Sequence, residues 1–286
     1  MIYRREKIPA DLQKYFVRAE IGLEKTPEQY VAKLVDVFRE VRRVLRDDAT
    51  LWLNLGDSYA TGRCQPERGG TPAGYKTKDL LGMPWRVAFA LQADGWILRQ
   101  DIIWRKPNPL PESVRDRCTK SHEYIFLFAK QPKYYFDHKA MREPCVKGAA
   151  GSEFHLGKTG EHQLGRASTK PRKSSSTNAS AVPGATAHSG IHREGSPREP
   201  ETRNRRDVWT VVTQPFKEAH FATFPPALIE PCVLAGCPQD GTVLDCFGGS
   251  GTVGMVAEKH GRKYILCELN PEYGKMAERR ITGRKI

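Results

Sequence analysis

The stretch Thr242-Val243-Leu244-Asp245-Cys246-Phe247-Gly248-Gly249-Ser250-Gly251-Thr252-Val253-Gly254 runs a short apolar strand into a glycine-rich turn and then into a helix. A β-branched run ending in Asp, followed by residues that take positive φ or let a ligand approach the backbone, puts a small-molecule site at the carboxyl edge of a parallel sheet. The next apolar run, Tyr264-Ile265-Leu266-Cys267, ends in Glu268, about where a second strand returns to hold ribose hydroxyls. Alone, this pair signals a nucleoside cofactor. The order G-G-S-G-T departs from G-x-G-x-x-G and argues against a dinucleotide.

Working outward, a helix is expected to follow the turn as far as His260, and a last helix to run from Pro271 to Ile281. Upstream, His220 to Gly236 reads as a loop feeding a helix with Pro225 and Pro226 in its first turn. Asp207 to Val212 reads as a strand. From Thr26 to Leu45 a cap, a first-turn proline and apolar residues at helical spacing predict an amphipathic helix, and Leu51 to Leu55 a buried strand stopping at Gly56-Asp57. Lys78 to Ala93 predicts a second helix interrupted near Pro84. Trp96 to Trp104 and His122 to Phe128, joined by the proline-punctuated loop at Lys106, predict an antiparallel pair at a sheet edge. Trp85, Trp96 and Trp104 are expected in the core, while Trp209, beside Arg205-Arg206, is balanced between core and base stacking.

The chain has 286 residues, with 46 Lys and Arg against 33 Asp and Glu, a formal charge of +13. That balance suits a polyanionic partner and speaks against simple small-metabolite chemistry. Seven cysteines without a C-x-x-C pair indicate neither a disulfide framework nor a zinc site, and a reducing cytoplasm fits. No run has the ~18 apolar residues of a membrane span. From Lys147 to Arg206 the composition turns to Gly, Ser, Thr, Lys, Arg and His, which predicts a largely mobile basic segment.

Five blocks in order, IGLEKTPEQYV, LWLNLGDSYA, the long run from KDLLGMPWRVAF to SHEYIFLFAK, HFATFPPALIEPCVLAGCP and DCFGGSGTVG, give a resemblance from about residue 20 to the carboxyl terminus. The chain resembles the S-adenosylmethionine-dependent DNA amino-methyltransferases of cytosine-N4 or adenine-N6, in the motif order that puts the catalytic half first. The resemblance implies a doubly wound, Rossmann-like α/β methyltransferase sheet with a partly disordered recognition insertion. Residues 1–140 would be the catalytic side, 141–206 the target-recognition insertion and 207–286 the cofactor half. It implies S-adenosylmethionine at Asp245, Phe247, Gly248, Gly249, Ser250, Gly251 and Thr252, with Glu268 on the ribose, Leu269 against adenine, and Thr223 and Phe224 in a block closing over the methionine end. Asp57 is a weaker candidate on the same edge. The implied partners are double-stranded DNA and a cognate restriction endonuclease, with no metal.

The family's Ser-Pro-Pro-Tyr or Asp-Pro-Pro-Tyr motif, which holds the target amine, has no counterpart in this sequence, and MIYRREKIPADLQKYFVRAE stands in its place. The sheet is therefore expected to lack amino-terminal strands, and no catalytic residue is assigned. Three accounts stand open: a missing amino-terminal segment, a decayed gene whose product still binds, or a replacement such as Tyr3, Asp11 or Tyr15. The expected function is site-specific methylation of an exocyclic amine of cytosine or adenine in DNA, the alternative an inactive remnant that binds cofactor and DNA.

Overall fold

Helix α1 (Pro27–Val44) forms where a cap, a proline and an apolar stripe coincide. In the computed structural model, which describes residues 2–3, 21–60, 74–145, 202–214 and 223–283, Thr26 Oγ1 accepts the Gln29 N–H at 3.3 Å. The apolar face of α1 buries Leu34, Phe38 and Val41 in one cluster with Val87 and Leu91 of α2 (Met83–Ala93) and Phe126 and Phe128 of a sheet. Helix α2 starts later than Lys78 because Lys78 (φ 76°) and Gly82 (φ 66°) occupy the left-handed region and prevent helical pairing before it. Pro84 does not interrupt α2; it sits in the first turn, where a missing N–H costs nothing. Asp57 caps this helix from a distance, its Oδ1 accepting the Met83 and Ser58 N–H groups at 2.9 Å each.

The sheet behind these helices comprises β2 (Thr50–Leu55), β4 (His122–Ala129), β3 (Ile97–Arg105) and β7 (Val208–Thr210), in the order β2-β4-β3-β7. Strands β3 and β4 are antiparallel as expected, but they are the two central strands, not an edge pair. β2 covers the free side of β4, and β7 pairs in parallel with β3, setting Trp209 opposite Trp104. The reason is apolar burial: Trp209 enters a second cluster with Ile102, Trp104, Ile125 and Met141, under Leu228 and Cys232 of α3 (Pro226–Gly236). This settles Trp209 as a core residue, with the Arg205 guanidinium 4.8 Å from its ring centre. Trp96 and Trp104 are buried, and Trp85 packs on Phe126.

A second sheet has the order β1-β9-β8, all parallel: β1 (Ile2–Tyr3), β9 (Lys263–Cys267) and β8 (Thr242–Asp245). Helices α4 (Thr252–Lys259) and α5 (Pro271–Thr282) pack on it through Val253, Leu266, Ala277 and Ile281. Among the described residues, β8 and β2 share no hydrogen-bonded pairing. The chain forms two compact units, residues 1–142 with 204–286, and residues 143–203. Where the latter begins and ends, β5 (Arg142–Pro144) and β6 (Thr202–Asn204) pair, and Arg203 donates to Glu143 at 2.9 Å. Most of the expected mobile segment, residues 147–201, lies outside the described residues, as do Asp11, Tyr15 and His220 to Ala222. The six described cysteines are free thiols, and among the described residues no helix is long and apolar enough to cross a membrane.

The cap on α2 is open to test. Asp57→Ala removes an acceptor used by two backbone donors and is expected to cost about 1 kcal/mol in denaturant unfolding, with Asp57→Asn costing roughly half as much.

Candidate cofactor site

Asp245 ends β8, and the loop after it is held by backbone carbonyls and by the side chains of Asp245, Glu268 and Arg280. The Phe247 N–H donates to Asp245 Oδ1 at 2.9 Å, Gly248 N–H to the Cys267 carbonyl at 2.8 Å, and Gly251 N–H to the Gly248 carbonyl at 2.8 Å. Gly249 (φ 48°) and Gly251 (φ 79°) both take the left-handed region. Their surroundings differ. A Cβ on Gly251 would lie 2.7 Å from the Ala277 Cβ, so α5 packs directly on the loop there. A Cβ on Gly249 would meet only the Phe247 carbonyl oxygen at 3.8 Å, which leaves the loop open to a ligand on that side.

Helix α4 begins at Thr252 with Gly251 as its cap residue and no side-chain cap, so the partial positive charge of its leading N–H groups stands at the loop. The Ser250 and Thr252 hydroxyls turn inward. Arg280 Nη1 of α5 donates to both of them at 2.8 Å and to the Ser250 carbonyl at 3.3 Å, a contact the sequence reading missed because only the fold brings α5 back. Burial lowers the pKa of that guanidinium. Glu268 is fixed at both oxygens, by Gly249 N–H at 2.7 Å and Asn270 N–H at 2.8 Å, and still has lone pairs for further donors. Phe247 and Leu269 flank the loop as exposed apolar residues.

Asp245 is the electrostatic centre. Burial raises its carboxyl pKa to about 6, the neighbouring Glu268 charge adds to the rise, and the Phe247 N–H opposes it. Two carboxylates beside an open glycine loop favour a ligand that carries positive charge near Asp245. Asp245, Phe247 and Phe224 line one cavity, whereas Gly248 to Thr252, Glu268 and Leu269 form the loop and rim beside it. Asn54 lines the same cavity; its Nδ2 donates to the Tyr124 carbonyl at 3.0 Å, so its Oδ1 is available as an acceptor. Thr223 is half-buried, two residues before the cap of α3. Tyr3 lies on β1, separated from β8 by β9.

At the carboxyl ends of β2 and β3 the polar groups are more crowded than the sequence suggests. Lys106 pairs with Glu123 and stands 4.4 Å over the Trp104 ring, and Lys120 donates to the Asp57 carbonyl. Burial lowers the pKa of Lys120. Arg117 grips Glu112 through two nitrogens, at 2.7 and 3.3 Å, and lies 4.1 Å over the Tyr59 ring. Asn108 and Thr213 exchange hydrogen bonds of 3.0 and 3.1 Å, tying the proline loop to the segment after β7.

Residues 3–279 match the DNA methylase family. The chain belongs to that family. The methylase is 42% identical to the Type II methyltransferase M.XycI of Xanthomonas campestris pv. cyanopsidis, over 96% of this chain and 78% of that protein. It is also 42% identical to the Type II methyltransferase M.SmaI of Serratia marcescens, over 96% of this chain and 81% of that protein. Its fold resembles that of the PvuII cytosine-N4-specific DNA methyltransferase, with a TM-score of 0.60 and 18% identity over all of this chain and 80% of that one. The methylase therefore transfers methyl groups from S-adenosylmethionine to an exocyclic amine in DNA.

Asp245 also makes the methylase's stability depend on pH. A carboxyl raised to about 6 in the fold, against an ordinary value of 3.8, favours the folded state below 3.8 and loses that contribution as pH rises through 6. Asp245→Asn is expected to stabilise the protein at pH 8 by up to about 3 kcal/mol and to leave it unchanged at pH 4, as read from chemical denaturation. Gly251→Ala adds a strained φ to a clash with α5, and is expected to cost about 2–4 kcal/mol in the same measurement.

Proposed function

We propose that residues Asp245 to Thr252, with Glu268, Leu269, Thr223 and Phe224, hold S-adenosylmethionine for methylation of cytosine or adenine in double-stranded DNA. The observation carrying this assignment is the half-buried Asp245 carboxylate beside a glycine loop whose outer face is open and whose helix has no side-chain cap. The residues fit the molecule part by part. Asp245 offers a negative charge to its ammonium or sulfonium, and the leading N–H groups of α4 offer a positive end to its carboxylate. The remaining lone pairs of Glu268 face ribose hydroxyls, and Leu269 gives adenine an apolar neighbour. Ser250 and Thr252 act through their backbone, since Arg280 occupies their hydroxyls.

When bound, the donor supplies an electrophilic methyl group. The protein's own task is alignment: it must hold an amine lone pair in line with that methyl and keep water out. Phe224 and Asn54 line the cavity into which Asp245 opens, and so lie on the side from which a base extruded from the duplex would approach. We assign residues 1–140 to this substrate side, 207–286 to the donor side, and 141–206 to target recognition through phosphate and groove contacts. A cytoplasmic setting with a cognate restriction endonuclease accords with the Type II methyltransferases it resembles.

Incubation with donor labelled on the methyl group and unmodified double-stranded DNA is expected to put label into DNA. Donor binding without transfer would support the inactive remnant instead. Calorimetry is expected to show donor affinity falling as pH drops below about 6, where Asp245 takes up its proton. Asp245→Asn is expected to weaken binding roughly tenfold or more and to remove that pH dependence. An unchanged affinity in the variant would overturn the placement of the cationic part of the donor.

A further inference from the structure

The loop from Lys106 to Ser121 joins β3 to β4 and is seated on the end of β2. The carboxyl of Glu123, the partner of Lys106, lies 3.5 Å from where a Cβ on Gly56 would be, and Lys120 reaches the Asp57 carbonyl. Two residues before Gly56, Asn54 lines the cavity into which Asp245 opens. At the tip of the loop stands Leu110, 87% exposed, more than any other large apolar side chain among the described residues. Its backbone is not free to fold back onto the protein. Pro109 and Pro111 fix φ on both sides, and the following proline disfavours helical backbone at Leu110 itself. Asn108 is tied to Thr213 by three hydrogen bonds of 3.0, 3.1 and 3.3 Å. Glu112 accepts from Arg117 at 2.7 and 3.3 Å and from the Lys120 N–H at 3.2 Å. The tip is therefore clamped at both ends and holds Leu110 out in solvent.

The rest of the loop decides what Leu110 meets. It carries Lys106, Arg115, Arg117 and Lys120 against Glu112 and Asp116. The core of a protein–protein interface is depleted in charge, whereas a duplex presents apolar base faces between two rows of phosphates. An apolar tip on a basic loop matches the duplex. A base turned out of the stack leaves a gap that favours its return, and apolar side chains occupy such gaps by wedging between base steps. We propose that Leu110 is a wedge: it enters the duplex at the target step, fills the space that the extruded base leaves and keeps that base beside the Asp245 cavity, while the cations of the loop meet flanking phosphates. Leu110 is thus a positioning residue, acting on the extrusion equilibrium and not on the methyl group. This inference rests on the reading of the Asp245 cavity as a methylation site for an extruded base.

The test uses the full chain with Leu110→Ala and Leu110→Trp, both expected to keep the wild-type Tm to within about 1 °C because the side chain is exposed. The first readout needs no turnover. On sheared unmodified duplex DNA, Leu110→Trp is expected to lose about half of the emission it has in excess of the wild type, because the indole stacks on bases, and to lose none on inorganic polyphosphate. The second readout is single-turnover methyl transfer. With the target step located in DNA methylated by the wild type, a short duplex carries the target base either paired or opposite an abasic site. Leu110→Ala is expected to be at least roughly tenfold slower on the paired duplex, within about threefold of the wild type on the unpaired one, and unchanged in donor affinity. Leu110→Met is expected to restore most of the rate. Equal slowing on both duplexes, or an equal fluorescence response to DNA and polyphosphate, would overturn the wedge. So would a Leu110→Ala protein as fast as the wild type on paired DNA, which would leave the tip to a protein partner. A wild type that binds donor and DNA without transfer would refute the methylation reading, and the fluorescence of Leu110→Trp then decides the wedge by itself.

Discussion

Helix α5 reaches the glycine loop only because position 251 carries no side chain. With the Ala277 Cβ 2.7 Å from where a Cβ would be, the helix is near enough for Arg280 to hold the hydroxyls of Ser250 and Thr252. That guanidinium is partly withdrawn from water, a loss that hydrogen bonds to three loop oxygens offset. The loop is therefore shaped from behind by the last helix of the chain, while its front carries only backbone and the open side of Gly249. A site built this way is formed before any ligand arrives, which reduces the ordering cost of binding.

Charge is distributed unevenly over a protein of formal charge +13. The end of β8 and its glycine loop concentrate the carboxylates of Asp245 and Glu268, while Lys106, Lys120 and Arg117 gather at the ends of β2 and β3. The acidic pair suits a cationic small molecule, and the basic edge suits phosphates. Lys106, Lys120 and Arg117 each already have a carboxylate or carbonyl partner, so they can offer phosphate an alternative to an existing contact, in an orientation already fixed.

Much of this was legible in the sequence, for identifiable reasons. The glycine loop, Glu268 and the helix after Thr26 are local features, set by turn chemistry, capping and periodicity, and they appear where those signals put them. What failed to show depended on long-range partners. Arg280 lies 30 residues from Ser250, and nothing about an arginine near the end of an amphipathic helix marks it as a brace. The β3 and β4 pair read as an edge because β7 is only three residues long and follows the insertion. Its pairing is driven by the burial of Trp209, which a local reading left undecided. Asp57 carried the signal of a polar residue after a strand, but its oxygen serves a helix 26 residues onward.

The paired strands β5 and β6 stand where the long basic stretch leaves and rejoins the rest of the chain. Because its two ends are brought together there, the chain between them can lengthen or shorten at a closure cost that grows only logarithmically. Neither the glycine loop nor the central strands need to adjust when it does. With target recognition placed in that stretch, as proposed above, sequence preference becomes an exchangeable cassette: a lineage could acquire a new DNA target by replacing one continuous stretch and inherit the chemistry intact.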